Sequence, residues 1–437
     1  MWPGQIVLLL LFTLSSTSAI TVDLSNRGLK KEDFFIRLQP KINLQDVTDL
    51  VLRNNEFDSF LDCSTNLGNL QTLDLSQNHL QRFFFLCKEE YNLQLLNVSH
   101  NKLEYIDDNA FNDRIPKLKI LDVSWNKLAI VNETMLEYFK VLEYLSLANN
   151  PIGDGIHENA FWTLTALRHL DLSNVSAPSF SSQLFKTLTN LSSLDLSWNP
   201  ITTVPALPQS ILELDLSGTR IFRLQDFYAP HLKELKLNYM PLMKILHFND
   251  FENATSLETL SVTGSKQLVH LKLLPKVGQL LPKLERLSIN DCGLQTLGLE
   301  LQPILQRMVV LSIENNPWKC DCQMEWLSLH NATRAISREM KCRIPQEHHD
   351  KLLSEIPNYD LECEYNSAIF YPALWSCIAV LLIILLVATG FYLFRRPFSW
   401  DFRRRNRDTV TYTNVVESSN DLVRILAVGE TTERTEE

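Results

Sequence analysis

A chain of 437 residues would ordinarily divide into two or three globular domains, but a periodic sequence escapes that rule. Its formal net charge is −10, and residues 395–437 hold 8 basic and 8 acidic side chains, so the whole acidic excess (33 basic against 43 acidic) lies upstream. An acidic body lacks the clustered lysine and arginine that phosphate backbones require, so nucleic acid is not an expected partner.

The N-terminus reads MWPGQ, an apolar run Ile6–Leu14 and then SSTSA. This is the layout of a secretory signal peptide spanning 1–19, with small residues Thr17 and Ala19 before the cut, although the first segment carries no Lys or Arg. A retained signal anchor is the other reading. Residues 20–46 include ITVDLSNRGL, which suits a capping strand, and contain no cysteine.

From 47 to 316 the motif LxxLxLxxNxL recurs about twelve times. It is plainest in LQTLDLSQNHL at Leu70, LKILDVSWNKL at Leu118, LEYLSLANNPI at Leu142 and LSSLDLSWNPI at Leu191. Between the asparagine slots at Asn55 and Asn316, eleven steps cover 261 residues, a mean near 24. That period is the signature of a leucine-rich repeat solenoid, and self-similarity of this kind outranks any residue-level argument about fold. Alternation within LxxLxL predicts a short strand, its leucines turned inward and buried only by stacking on neighbouring units. The asparagine should bond peptide groups of its own and the adjacent coil where the chain leaves the sheet. Seven slots hold Asn (55, 78, 101, 126, 150, 199, 316); Val175, Thr219, Met240, Ser265 and Cys292 fill the others. Thr, Ser and Cys can partly replace it, whereas Val and Met cannot. Four consecutive exceptions coincide with spacings of 20–27 residues, which predicts altered curvature or twist across roughly 200–292. Phe111, Phe161, Phe185 and Phe251 follow their slots and read as a packing spine on the convex side.

The outward strand position is occupied in turn by Val51, Asp74, Asn97, Asp122, Ser146, Asp171, Asp195, Asp215, Lys236, Ser261, Ser288 and Ser312. Asp74, Asp122, Asp171, Asp195 and Asp215 form an acidic stripe suited to steer a basic protein ligand. Trp125 and Trp198, just before the asparagine slot, are candidate anchors for it, with packing as the alternative role. Sequons begin at Asn97, Asn132, Asn174, Asn190, Asn253 and Asn331, all upstream of the apolar helix described below. A glycan on Asn97 would stand on the concave sheet and push a ligand toward later repeats or another face.

Cys63 and Cys87 are 24 residues apart, one repeat length, so stacking would bring them together as a disulfide. Cys292 fills an asparagine slot as a buried thiol. After NPWKCDCQMEW, the set Cys320, Cys322, Cys342 and Cys363 leaves three pairings open by spacing, and zinc binding as a rival to disulfides. The pattern resembles the cysteine-rich C-terminal cap of extracellular leucine-rich repeat transmembrane proteins of Toll-like, chaoptin-like and neuronal adhesion type, and the resemblance extends over 47–363. It implies a curved α/β solenoid with a concave parallel sheet. It also implies pairs Cys320–Cys342 and Cys322–Cys363 in a cap covering 317–363. In that family L-D-L-S is a common repeat filler, a structural reading of the aspartate stripe.

Residues 364–372 lead into Ala373–Phe394, 22 residues without charge, spanning ~33 Å as a helix. Tyr371 and Trp375 mark one end, Phe391 and Tyr392 the other, and Arg395, Arg396, Arg403, Arg404, Arg405 and Arg407 follow. The positive-inside rule then predicts a single-pass type I plasma-membrane protein with extracellular repeats and a cytoplasmic tail, 395–437. The tail is too short for a kinase or Toll-type domain, interleaves arginine with Phe398, Trp400 and Phe402, and contains Tyr412-Thr413-Asn414-Val415. Tyr412 is thus a candidate phosphorylation site for a cytoplasmic adaptor.

No P-loop, G-x-S-x-G, H-E-x-x-H or dinucleotide fingerprint occurs, and Glu347-His348-His349-Asp350 lacks a partner at metal-ligand spacing. The expectation is a non-enzymatic, cofactor-free surface protein that recognises a protein ligand through its repeats. A co-receptor or regulatory subunit of another membrane protein, or a ligand-sequestering decoy, is the alternative.

Overall fold

The computed structural model describes residues 19–38, 43–60, 67–83, 90–106, 114–274, 280–329, 334–361 and 367–394. The first of two compact units ends at Cys363 and the second begins at Glu364. The signal peptide, Cys63, Cys87, Phe111, Asn331, Cys363 and Tyr412 lie outside the described residues.

The first unit is a solenoid built on one thirteen-stranded parallel sheet. Each strand has three residues; from Asp49–Val51 to Arg286–Ser288 the middle one is a buried leucine and the flanking two turn outward, while Val22 and Leu311 in the two end strands are half-buried. Leu73, Leu121, Leu145 and Leu235 are fully buried, each contributing about 2 kcal/mol by leaving water. All twelve outward positions read from the sequence fall in one register, from Val51 through Asp74, Asn97 and Asp122 to Ser288 and Ser312. The thirteenth strand, Thr21–Asp23, pairs with Asp49–Val51 and covers the N-terminal edge. Behind it the buried Phe34 meets Phe57 edge-on, ring centroids 6.1 Å apart.

The seven asparagines behave as the backbone accounting requires. Asn150, 1 % exposed, donates through Nδ2 to the carbonyls of Val123, Leu147 and Ala148, and its Oδ1 accepts the Leu128 N–H at 3.0 Å. Asn78, Asn101, Asn126 and Asn199 repeat the pattern. Where the ladder breaks, other atoms take over in part. Asn199 Oδ1 accepts from both Val175 and Ala177 N–H groups, so the repeat with valine borrows its neighbour's oxygen. The Thr219 hydroxyl donates to the Leu216 carbonyl, and Ser265 Oγ accepts the Met240 N–H. Cys292 is a buried free thiol that donates to the Val262 carbonyl at 3.0 Å, and burial pushes its pKa up to about 11. Met240, read as unable to substitute, supplies no donor; its Sδ lies 3.8 Å from the Thr219 hydroxyl, whose proton goes to the Leu216 carbonyl.

Across the irregular stretch the main ladder holds its register. What changes is the flank, where Ile245–His247 and His270–Lys272 form a second, two-stranded parallel sheet. Phe161, Phe185 and Phe251 are buried as a spine, together with Phe139, Phe227 and Phe248. Cys320 is bonded to Cys342 across a cap in which Trp318–Lys319 pairs with Cys342–Ile344. Cys322 is also disulfide-bonded.

In the second unit one helix, Ser367–Phe394, runs 28 residues and begins six residues before the uncharged run, continuing through Pro372. Its stretch Trp375–Tyr392 is long and apolar enough to cross a membrane.

Candidate ligand-binding face

Three-residue strands give the sheet two outward rows. The second is the row read from the sequence; the first runs Asp49, Thr72, Leu95, Ile120, Tyr144, His169, Ser193, Glu213, Glu234, Thr259, Arg286 and Val310. The consensus position between the second and third leucines marks only the second row. Alternation along a strand exposes the residue two earlier as well, and the LxxL spacing carries that signal.

The five aspartates occupy their predicted row, each with one oxygen committed locally. Oδ1 of Asp74, Asp122, Asp171, Asp195 and Asp215 accepts the N–H of the serine two residues on, at 2.8–2.9 Å. The L-D-L-S filler is therefore a turn device that secures the strand end. That structural role leaves the crowding of charge intact. Asp171, Asp195 and Asp215 sit on adjacent strands, roughly 4.8 Å apart by sheet geometry. Burial and then the charges of Asp215 and Asp171 push the Asp195 carboxyl up to about 7. Burial likewise raises Asp122, and it lifts Tyr144 to about 12 with help from Asp122, Asp171 and Asp195. Burial works against the Lys236 ammonium, but Glu234 at 3.3 Å, Asp215 and Asp195 outweigh it and raise its pKa.

This arrangement has a pH consequence. Unfolded Asp195 should ionise near its ordinary 3.8, so between roughly pH 4 and 7 the folded chain binds more protons than the unfolded one. Stability should therefore fall as pH rises through that window. Denaturant midpoints of wild type and Asp195→Asn across pH 4–8 should diverge, the variant losing less; parallel curves would contradict this environment for Asp195.

Beside the aspartate row stands another, one residue before each asparagine slot, that the sequence reading only grazed. Every residue in it has positive φ: Asn54, Gln77, His100, Trp125, Asn149, Asn174, Trp198, Gly218, Tyr239, Gly264, Asp291 and Asn315. The turn off the sheet imposes a left-handed residue, which glycine and asparagine accept readily and large aromatics rarely do. Trp125 and Trp198, 53 % and 55 % exposed, are placed by the structure in this row, with Tyr239 equally open at 55 %. His100 stacks on Trp125 at 5.1 Å, and Trp198 stacks on Tyr239 at 5.9 Å.

Of the sequons, Asn97 lies in the outward row, part-buried, with Oδ1 accepting both the N–H and the hydroxyl of Ser99. Asn132 caps a short helix by accepting the Met135 N–H. Asn174, Asn190 and Asn253 are exposed. In the C-terminal cap His349 contacts Arg343 and Asp350, and His348 reaches the Asp360 carbonyl. Among the described residues no group of three or more His, Cys, Asp or Glu side chains is arranged to hold a metal ion.

The leucine rich repeat family model matches residues 91–152 and again 187–204. With the parallel ladder and its asparagines, the match decides the class. The chain folds as a leucine-rich repeat solenoid. Its repeats are similar to those of Toll-like receptor 9 from Sus scrofa, 31 % identical over 214 residues, which is 43 % of this chain and 21 % of the receptor. Toll-like receptor 2 type-1 from Gallus gallus is 26 % identical over 237 residues, covering 52 % of this chain and 28 % of that one. The chain therefore spans between about a fifth and three tenths of the length of these relatives. The solved TLR13–ssRNA13 complex shares the fold, with a TM-score of 0.52 at 22 % identity, over 72 % of this chain and 54 % of that one.

Proposed function

We propose that this leucine-rich repeat protein is a non-enzymatic recognition receptor or adhesion molecule of the cell surface, whose concave face binds a protein ligand. The observation that carries the reading is the charge of that face. Over four adjacent strands its outward positions hold Asp171, Asp195, Glu213, Asp215 and Glu234 against a single lysine, Lys236. Such a surface repels phosphate backbones and attracts basic proteins. The similarity to Toll-like receptors and the apolar helix Ser367–Phe394 support a type I membrane placement, with 1–19 as signal peptide and 395–437 as cytoplasmic tail. Disulfides Cys322–Cys363 and Cys63–Cys87, glycans at the six sequons and phosphorylation of Tyr412 belong to the same reading.

The test is a binding screen of the purified protein against secreted and cell-surface proteins. The expected result is a partner whose affinity falls with rising salt and drops when Asp195 and Asp215 are both changed to asparagine. A screen that yields no protein partner, while the protein turns over a substrate or binds RNA at physiological salt, would overturn the reading.

Occupancy of Asn97 is a separate expectation. Asn97→Gln should run faster on a denaturing gel by the mass of one N-glycan, and peptide N-glycosidase treatment should abolish the difference. Equal mobility before treatment would leave the N-terminal third of the concave face open to ligand.

A further inference from the structure

Trp198 and Tyr239 sit in a place that ordinary packing does not explain. Both adopt the left-handed backbone conformation, φ 59° and 55°, at positions where Asn149, Asn174, Gly218 and Gly264 meet the same demand without a large side chain. Both leave more than half their surface in water although each is a large ring. Each ring also lies over a glycine of the following repeat. A Cβ on Gly218 would come within 2.6 Å of Trp198 Cε3, and one on Gly264 would run into the Tyr239 ring. Two glycines thus clear the floor on which two aromatic rings lie flat and stacked, 5.9 Å apart with 26° between their planes. Strain at an exposed aromatic, held in place by its neighbours, is the pattern found where a surface is kept for a ligand.

What would lie on that shelf is set by its surroundings. Trp198 follows Asp195 by three residues on the same turn, and Gly218 follows Asp215 by three on the next. The outward positions from His169 to Lys236 carry five carboxylates, and the one lysine is already held by Glu234. An aromatic face bordered by carboxylates suits a guanidinium, planar enough to stack and charged enough to be held from the side. Burial and then crowding by Asp215 and Asp171 disfavour the ionised form of Asp195, and an approaching cation offsets the crowding.

We infer that the Trp198–Tyr239 shelf, with Asp195 and Asp215 beside it, is the anchor site for an exposed arginine on the partner protein's surface. The inference rests on the reading of the concave face as a protein-binding surface, and sharpens it to one contact.

The experiment uses the full-length protein in detergent micelles and a fluorescein-labelled peptide of alternating arginine and glycine, read by anisotropy at physiological salt. Binding is expected to be saturable, and to weaken at least roughly tenfold in Trp198→Leu and in Tyr239→Leu, the value of a well-formed cation–π contact. Trp198→Tyr should restore most of it, and Gly218→Ala, which displaces the ring without removing it, should weaken binding although both aromatics remain. Trp162→Leu, at an exposed tryptophan outside the shelf (54 % open), should bind as wild type. Unchanged affinity in Trp198→Leu, an equal loss in Trp162→Leu, or displacement of the peptide by a single-stranded RNA would overturn the assignment. A native partner that still binds Trp198→Leu would sink this contact and leave the broader reading standing. A peptide that binds the shelf with no native protein partner in the screen would do the reverse.

Discussion

Replacing Asn150 by alanine should destabilise the solenoid by about 3–4 kcal/mol, as much as truncating a buried leucine to alanine. The substitution removes the donors that satisfy Val123, Leu147 and Ala148 carbonyls, and the acceptor for the Leu128 N–H, in a site closed to water. Each stranded group costs about 1–3 kcal/mol, partly recovered where water or a relaxed backbone reaches it. Asn150→Ser should cost less, since Thr219 and Ser265 show a hydroxyl in the same slot still bonding one or two of these groups. Asn150→Asp should cost at least as much as alanine, because a carboxylate would face three carbonyls. Urea midpoints and amide exchange measure the effect. Exchange should quicken first in the strands Ile120–Asp122 and Tyr144–Ser146, since stability in a repeat stack is carried by neighbouring units. A midpoint shift below that of an ordinary leucine truncation would show that the ladder is dispensable.

Breaking Cys320–Cys342 should cost a similar amount, by a different route. The bond closes 22 residues of sequence, and the chain-entropy estimate for such a loop is about 3 kcal/mol. The cap it secures buries Trp318, Met324 and Leu327 over the last repeats, and Trp326 Nε1 donates to the Leu297 carbonyl there. Losing the cap would uncover that apolar end, so Cys320→Ser and Cys342→Ser should give less folded protein and bind a hydrophobic dye. The double variant should be no worse than either single one, because both remove the same bond. Folded yield and dye binding equal to wild type would mean that the second bond, at Cys322, suffices to close the end.

The fold was open to sequence because one physical demand repeats. A leucine must point inward every 24 residues or so, and an asparagine must close each turn, so period and slot together located the twelve strands of the main ladder from Asp49–Val51 to Val310–Ser312. The exceptions were legible by chemistry too. Ser265, Thr219 and Cys292 keep a donor or acceptor where Asn would have one, and only the reach of Asn199 across to Val175 was hidden. The site was less legible. The aspartates read as a stripe because they recur at one register, but their second duty in a turn with serine becomes visible only with coordinates. The left-handed row did leave a trace, in the frequency of Asn, Asp and Gly before each slot; Trp198 and Tyr239 masked it by breaking the composition they share a backbone with. The flank sheet at Ile245–His247 and His270–Lys272 was missed because three-residue strands outside the consensus carry almost no pattern. The terminal helix begins at Ser367, ahead of the apolar run read from Ala373, because an apolar count marks what can cross a membrane and not where helical hydrogen bonding starts.

Cys292 turns the weakest stretch of the ladder into a recording device. Its thiol is sealed and resists ionisation, so an alkylating reagent can reach it only when that coil opens. The rate at which it is tagged thus counts excursions of one coil among a dozen, at a position between the aromatic shelf and the disulfide-closed end. Partner binding that stiffens the shelf would slow that clock without touching the cysteine, giving occupancy a readout inside the wall of the solenoid.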